Sequence, residues 1–210
     1  MNLRYDILEN TGFSYDDLVN LLHIAFHERT KQGLYFSCYN FTVDDYKRNT
    51  NGGTTFIAYD SDKHELYGML ALTLRRDKEG ILYGNHEYLA VLPASQHSGV
   101  ATKLFQLCEK KCIEMNASYI LSDTAIGAKS SVRYHLKQGF QIIGYEAFSN
   151  TNYYSYIFKK SLPPNSDLNG GLSGWRLLKA YIIFRLKFHV HKKPTLLYRI
   201  YLRFLNLILK

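Results

Sequence analysis

Hydrophobic and polar residues alternate with two different periods along this chain, and the periods divide it into strands and helices. Alternation over short runs predicts seven strands, at residues 3–8, 54–59, 65–75, 81–91, 118–122, 140–145 and 153–159. Apolar residues that recur every three or four positions predict helices beginning near Ser14 or Asp16, Thr42, Gly99 and Ala128. Antiparallel strands followed by a β-α-β-α unit therefore predict an α/β (α+β) fold with a mixed sheet.

The chain of 210 residues is long enough for one domain and an extension. Residues 163–171 contain two prolines and two adjacent glycines, which predicts a linker. It separates a domain at residues 1–162 from an extension at residues 172–210. The extension predicts two helices, at residues 175–188 and 195–210.

The most informative stretch lies where the fourth strand passes into the third of these helices. The strand ends at Val91, Pro93 interrupts it, and the turn Gln96-His97-Ser98-Gly99-Val100-Ala101 leads directly into the helix. The first amides of a helix have no internal partner and carry partial positive charge, so the turn predicts a site for a pyrophosphate. The alternative is a helix start whose glycine only permits tight packing.

This turn resembles the signature of the GNAT (Gcn5-related N-acetyltransferase) superfamily, in which Gln or Arg is followed by two residues, Gly, one residue, and Gly or Ala. Residues 130–140, which end in Gly139-Phe140, are similar to the family's later helix and the start of its next strand. The resemblance covers about residues 3–162 and is strongest over residues 86–145. The extension is not part of it.

The resemblance implies the GNAT fold, acetyl-CoA as the acyl donor and no metal. In the family, the strand before the turn splays from its neighbour and binds pantetheine with its exposed edge, and the turn holds the pyrophosphate. On this sequence the implied cofactor-binding residues are Leu89, Ala90, Val91, Gln96, His97, Ser98, Gly99, Val100, Ala101 and Thr102.

Acetyl transfer to an amine needs a base, because an ammonium group has no lone pair. The candidate is Glu87, on the strand before the turn, where family members often carry a carboxylate. The alternative is that Glu87 faces solvent or pairs with a cation such as Arg75. His86 is its rival for the cleft, because neighbouring residues of a strand face opposite sides.

The family's acid for the leaving thiolate is a tyrosine four residues before the glycine of Gly-Phe. That position is His135 here, beside Tyr134, and a histidine can donate a proton near neutral pH. The family's frequent asparagine seven residues earlier is Ala128, a second departure.

The implied function is N-acetylation of a primary amine: a small molecule, an amino sugar of a glycan, or a protein amine. The alternative is a non-catalytic CoA-binding or membrane-docking module on the same scaffold.

Positive charge is concentrated in the extension. The chain carries 26 basic and 18 acidic residues, but no acid follows Asp167. The basic residues that do follow it are Arg176, Lys179, Arg185, Lys187, Lys192, Lys193, Arg199, Arg203 and Lys210. They stand among large apolar residues, which predicts contact with an anionic membrane surface through residues 172–210. Packing on the domain itself or on a twin subunit of a homodimer is the alternative. The near-neutral domain argues against nucleic-acid binding.

The chain shows neither a signal peptide nor an apolar run long enough to span a membrane. These features predict a cytoplasmic enzyme, held at the inner face of the membrane if the extension binds lipid. Three cysteines without a paired spacing, Cys38, Cys108 and Cys112, predict buried thiols rather than a disulfide framework.

Overall fold

The computed structural model describes residues 3–148, 151–163 and 171–192, with the side chains of the last helix up to Ile183. The second predicted helix of the extension, residues 195–210, lies outside the described residues. Most of the predicted linker lies outside them as well. The division into a domain, a linker and an extension stays a prediction.

In the described residues, seven strands form one mixed sheet in the order β1-β2-β3-β4-β5-β7-β6. The strands are β1 (Leu3–Ile7), β2 (Thr54–Asp60), β3 (Glu65–Arg76), β4 (Leu82–Val91), β5 (Tyr119–Ala125), β6 (Gln141–Glu146) and β7 (Ser155–Ser161). Neighbouring strands pair antiparallel except β4 and β5, which are parallel. This arrangement confirms the predicted fold class.

Helices cover both faces of the sheet. They are α1 (Tyr15–Lys31), α2 (Val43–Thr50), α3 (Val100–Glu114), α4 (Lys129–Lys137) and α5 (Trp175–Lys192). Helices α1 and α2 bury one core with Ile57, Met69 and Ala71, whereas α3 lies over the other face with Leu70 and Leu72. Because successive strand residues face opposite sides, β3 contributes to both cores.

Helix starts and strand ends follow local chemistry. Of the two predicted caps of α1, Ser14 is the one used: its Oγ accepts from the Asp17 amide at 3.3 Å, and the Asp17 carboxylate accepts from the Ser14 amide at 2.7 Å.

Strand β5 runs to Ala125, three residues beyond the predicted end at Ser122. Its polar residues break the apolar pattern, but their backbone pairs with β7, and Asp123 lies opposite Ile157.

Up to Ile183, where its side chains are described, helix α5 packs one face against the rest of the fold and exposes another. Ala180 and Ile183 are buried, and Ala180 belongs to the core that α3 covers. Trp175 is 72% exposed, and Leu178 and Ile182 are more than two-fifths exposed. None of the helices in the described part of the chain is long and apolar enough to cross a membrane.

The three cysteines are free and buried, as predicted. Cys108 and Cys112 lie on the buried face of α3 and Cys38 in the core under α1.

Candidate active site

A β-bulge in β4 sets the geometry of the site. The register between β3 and β4 shifts between Met69 and Ala71, so that Tyr88 and Leu89 together oppose one residue of β3. Tyr88 has a φ of 52°, in the left-handed region that strand residues rarely adopt. A bulge interrupts the alternation of sides. Tyr88 therefore packs in the core under α1 and α2, on the same side of the sheet as the neighbouring Glu87.

Strands β4 and β5 separate close to this bulge. They pair over three residues, and the last pair is Asn85 with Leu121, although both strands continue. The opening is a cavity of about 660 Å³, lined by β4 from His86 to Val91, by β5 at residues 122–124, and by the turn before α3. The splayed edge that the resemblance implies is therefore present, and its cavity has the size of a small-molecule site.

The turn before α3 presents backbone amides to this cavity. Gly99 is the N-cap of α3 with a φ of 87°, and no side chain caps the helix. The amides of residues 97–102 donate to no protein acceptor within the described ranges. A Cβ atom at Gly99 would meet nothing within 4 Å, so the left-handed backbone explains the glycine and tight packing does not. Together with the helix dipole, these amides form an anion site.

Two carboxylates line the cavity on the side that α1 covers. Glu87 on β4 is 19% exposed, accepts a hydrogen bond from Thr73 Oγ1 at 2.9 Å, and has Arg75 at 3.5 Å. Burial raises the pKa of Glu87 against the effect of Arg75 and Thr73, and the charge of Asp123 adds to the rise. The pairing with Arg75 left open by the sequence is present, yet Glu87 also borders the cavity.

Asp123 on β5 is the second carboxylate. Protein atoms surround it on most sides, but the residue is exposed to solvent through the cavity. Burial raises its pKa, and the nearby Ser155 hydroxyl opposes the rise. No cation pairs with Asp123 among the residues that the structure describes. Glu87 and Asp123 thus make a negative site suited to an ammonium group.

A chain of buried polar side chains links β4, β5 and α4 on the opposite side of the sheet. His135 Nδ1 lies 2.8 Å from the carbonyl oxygen of Ser131, which only accepts, so Nδ1 carries the proton. His135 Nε2 then accepts from the Ser122 hydroxyl at 3.0 Å, and Ser122 Oγ accepts from His86 Nδ1 at 2.8 Å. Within the described residues, the buried His86 Nε2 has no partner.

These two histidines are neutral at pH 7. Burial lowers the pKa of His86 to about 3, and the nearby His135 adds to the shift. Burial also lowers the pKa of His135 to about 4. His86, the predicted rival of Glu87, also lines the cavity, but it lies on the α3 side of β4, where its ring packs edge-on against Phe105.

The wall opposite β4 comes from α1 and the connection between β6 and β7. Arg29 of α1 donates to Ser130 Oγ of α4 at 2.6 Å, and both residues line the cavity. Asn152 donates to the carbonyl oxygen of Gly33 at 2.8 Å and accepts from the Tyr35 amide at 2.9 Å. These bonds hold the segment after α1 against the segment before β7, so the wall is built from distant parts of the chain.

The sequence around this cavity matches the model of a known protein family. The model of the Acetyltransferase (GNAT) family matches residues 16–140, from α1 to the residue before β6. The chain belongs to the GNAT family. The matched region includes the turn, β4, β5 and α4. No curated protein matches the chain in sequence.

Solved structures show the GNAT fold at low sequence identity. The chain is similar to yncA from Salmonella typhimurium with its cofactor acetyl-CoA, with a TM-score of 0.58, 12% identity, and coverage of 80% of this chain and 99% of that one. It is also similar to a chain of the NatC complex bound to Gag peptide and CoA, with a TM-score of 0.62 and 16% identity. That match covers 77% of this chain and 99% of that one. A third similar structure is FeeM, an N-acyl amino acid synthase from uncultured soil microbes, with a TM-score of 0.60 and 16% identity. That match covers 78% of this chain and 92% of that one. At these identities the likeness concerns the fold.

The site residues predicted from the GNAT resemblance gather around one cavity. Glu87, His135 and nine of the ten predicted cofactor-binding residues line it. Ser98 does not, because its hydroxyl donates to the Ser95 carbonyl at 2.6 Å. The roles of all these residues stay predictions.

The sequence analysis missed the charged cavity residues Asp123 and Arg29. The available signal for Asp123 was a charged residue at the end of a buried apolar run. Arg29 gave no signal, because it lies near the end of a helix that is rich in polar residues.

The buried histidines predict a loss of stability in mild acid. In the unfolded chain each titrates near 6.5, whereas the folded protein keeps both neutral, so only the unfolded state takes up protons as the pH falls below 6.5. The expected loss in unfolding free energy at pH 5 is about 2 kcal/mol for each histidine. Urea unfolding at pH 7.5 and pH 5 measures it.

The control for this prediction is an exposed histidine. His135→Gln should remove about half of the pH-dependent loss, whereas His27→Gln should leave it unchanged. An equal pH dependence in the wild type and His135→Gln would contradict the account of the buried pair.

Proposed function

We propose that this protein is an N-acetyltransferase that transfers the acetyl group of acetyl-CoA to a primary amine in the cavity between β4 and β5. The observation that carries the proposal is the presence, in one cavity, of free amides at the start of α3 and of the carboxylates Glu87 and Asp123. The first group suits a pyrophosphate and the second suits an ammonium. Membership of the GNAT family supports the donor.

The donor site is formed by backbone groups. The turn at residues 96–102 would hold the pyrophosphate. Its oxygens would accept from the amides of residues 97–102, which have no protein acceptor among the described residues. The edge of β4 at residues 88–91, where pairing with β5 has ended, would bond the amide-like pantetheine arm. This arrangement brings the thioester to the bulge, next to Glu87.

The acceptor amine must lose a proton before it attacks. An amine with a pKa of about 10.4 pays roughly 4–5 kcal/mol for deprotonation at pH 7. Glu87 is the proposed base, because burial and the charge of Asp123 raise its affinity for a proton. Asp123 would hold the ammonium through charge until the proton moves.

After the attack, the tetrahedral intermediate needs a hydrogen-bond donor for its oxyanion, and the leaving thiolate needs little or no help from an acid. A backbone amide at the bulge is the proposed oxyanion donor, because the bulge takes this part of β4 out of the β3 ladder. His135 stays the candidate acid for the thiolate, although its proton on Nδ1 is bonded to Ser131. Coenzyme A thiolate is a fair leaving group, so the reaction does not depend on this acid.

The test is acetyl transfer to a panel of primary amines, followed by free thiol release and by mass spectrometry of the products. The expected result is thiol release that depends on the amine, together with an N-acetylated product. Tight CoA binding by calorimetry without product from any amine would favour the alternative, a non-catalytic CoA-binding module.

We also propose that the extension holds the enzyme on an anionic membrane surface at the cytoplasmic face. The exposed face of α5 carries Trp175, Leu178 and Ile182, three or four positions apart, while Ala180 and Ile183 on another side are buried. Exposed apolar groups beside basic residues, in a segment with no acid, suit a surface of anionic lipid.

Vesicle sedimentation tests this surface. The full chain should sediment with vesicles of phosphatidylglycerol, less with neutral phosphatidylcholine, and less again at high salt, because each basic residue near the surface contributes about 1 kcal/mol that salt screens. Trp175→Ser combined with Leu178→Ser should reduce sedimentation, whereas Met115→Ser, at an exposed methionine after α3, should not. Equal sedimentation with both lipids, or none, would refute the proposal.

A further inference from the structure

Arg29 is a half-buried cation in the wall of the cavity. Its guanidinium donates to Ser130 Oγ at 2.6 Å, and no acidic side chain pairs with it among the described residues. Burial lowers its pKa, which shows that the surroundings disfavour the charge. A guanidinium has five N–H donors, so one bond to a hydroxyl leaves most of its capacity unused.

The position of Arg29 separates it from the pyrophosphate site. Helix α4 contacts Arg29 through Ser130 at its start, whereas Gln138, just after its end, lies 3.4 Å from Thr102 in the first turn of α3. Eight residues of helix separate the two contacts by about 12 Å. Arg29 therefore lies at the end of the cavity remote from the amides that suit the pyrophosphate.

The surroundings of Arg29 belong to the acceptor side of the sheet. It comes from α1, which covers the face on which Glu87 lies. Aromatic rings line this side of the cavity: Phe26 and Phe36 lie 5.0 Å apart, and Phe36 and Tyr153 lie 4.9 Å apart between ring centroids. This side of the cavity thus combines two carboxylates, an apolar wall and the guanidinium of Arg29, which pairs with no acid in the described residues.

We infer that Arg29 binds an anionic group of the acceptor, so that the substrate is a primary amine that also carries a carboxylate or a phosphate. Carboxylates and phosphates match the planar fork of a guanidinium. The ammonium end of such a molecule would lie at Glu87 and Asp123, and its body against the aromatic rings. This inference rests on the proposed function, because it names the acceptor class of the same site.

The experiment compares matched acceptors that differ only in the anionic group. The panel contains glycine, β-alanine, 6-aminohexanoate and phenylalanine, each paired with its amide, and phosphoethanolamine paired with ethanolamine. Together they vary the spacing between amine and anion and distinguish carboxylate from phosphate. We expect at least one anionic acceptor to exceed its neutral partner about 10- to 100-fold in kcat/KM, the value of a hydrogen bond to a charged group.

Variants of Arg29 assign that preference. Arg29→Gln should remove it mainly through KM, and Arg29→Lys should restore part of it because the charge returns without the fork. Ser130→Ala removes only the hydrogen-bond partner and should keep the preference. Arg133→Gln, which removes an exposed arginine of α4, should keep it too.

Two results would overturn the inference. In the first, neutral and anionic acceptors are acetylated equally by the wild type. In the second, Arg29→Gln weakens CoA binding in calorimetry and lowers the acetylation rate of every acceptor equally. Arg29 would then bind the donor, not the acceptor. In either case, continued acetylation of neutral amines would still support the proposed function. If the proposed function itself is wrong, no acceptor in the panel will cause thiol release.

Discussion

Glu87→Gln is expected to lower the rate of acetyl transfer at pH 7 by about 10²–10⁴-fold, the usual contribution of a general base. The loss should shrink as the pH rises, because the amine then deprotonates without help. CoA affinity should be unchanged, since the donor site is formed by backbone amides and the edge of β4. Pre-steady-state thiol release over a pH series measures the effect.

Asp123→Asn provides the second half of this prediction. The charge of Asp123 helps to raise the pKa of Glu87. Its removal should therefore lower that pKa and move the acidic limb of the rate profile to lower pH, because Glu87 must be deprotonated to act. The KM for the amine should rise as well, since one of the two charges that hold the ammonium is lost.

Glu65→Gln is the matched control, because Glu65 is an exposed glutamate at the start of β3 outside the cavity. It should change neither rate nor profile. If Glu87→Gln retains the wild-type rate at pH 7 with a competent amine, Glu87 is not the base. If only Asp123→Asn loses the acetyl-transfer rate, Asp123 is the base instead.

Gly99→Glu is expected to weaken CoA binding by about 10²-fold. The new carboxylate would stand beside the amides proposed for the pyrophosphate. Repulsion between unit charges at about 4 Å is on the order of 1–4 kcal/mol, depending on exposure. The left-handed backbone at Gly99 adds a folding cost of about 1–2 kcal/mol for any side chain. Calorimetric titration with CoA measures the affinity.

Two controls separate charge from strain. Gly52 has a similar φ of 73° and open space around it, outside the cavity, so Gly52→Glu should cost stability without changing CoA affinity. Gly99→Ala carries the strain without the charge and should bind CoA nearly as well as the wild type. Unchanged affinity in Gly99→Glu would remove the turn from the donor site.

Periodicity and turn chemistry were sufficient to predict the order of strands and helices in the described residues and the turn at Gly99. Local signals such as the helix starts at Ser14 and Thr42 depend on residues that are close in sequence, and both residues are N-caps in the structure. The alternation rule was less informative in β4. The bulge at Tyr88 adds a residue to one strand, and a single strand's sequence does not show how its partner is registered.

The site could be predicted only where its residues belong to one continuous motif. The turn and the end of β4 form such a motif, and they were found. Asp123 and Arg29 reach the cavity through the pairing of β5 with β7 and through the packing of α1 near α4, which are contacts between distant parts of the chain. The Arg29–Ser130 bond alone spans 101 residues of sequence.

A crystal structure of the protein with acetyl-CoA bound tests the central claim most directly. The account predicts the pyrophosphate on the amides of residues 97–102, the pantetheine arm along residues 88–91 of β4, and the thioester carbonyl at the bulge within reach of an amine held by Glu87 and Asp123. Acetyl-CoA bound elsewhere, with the opening between β4 and β5 left empty, would contradict it.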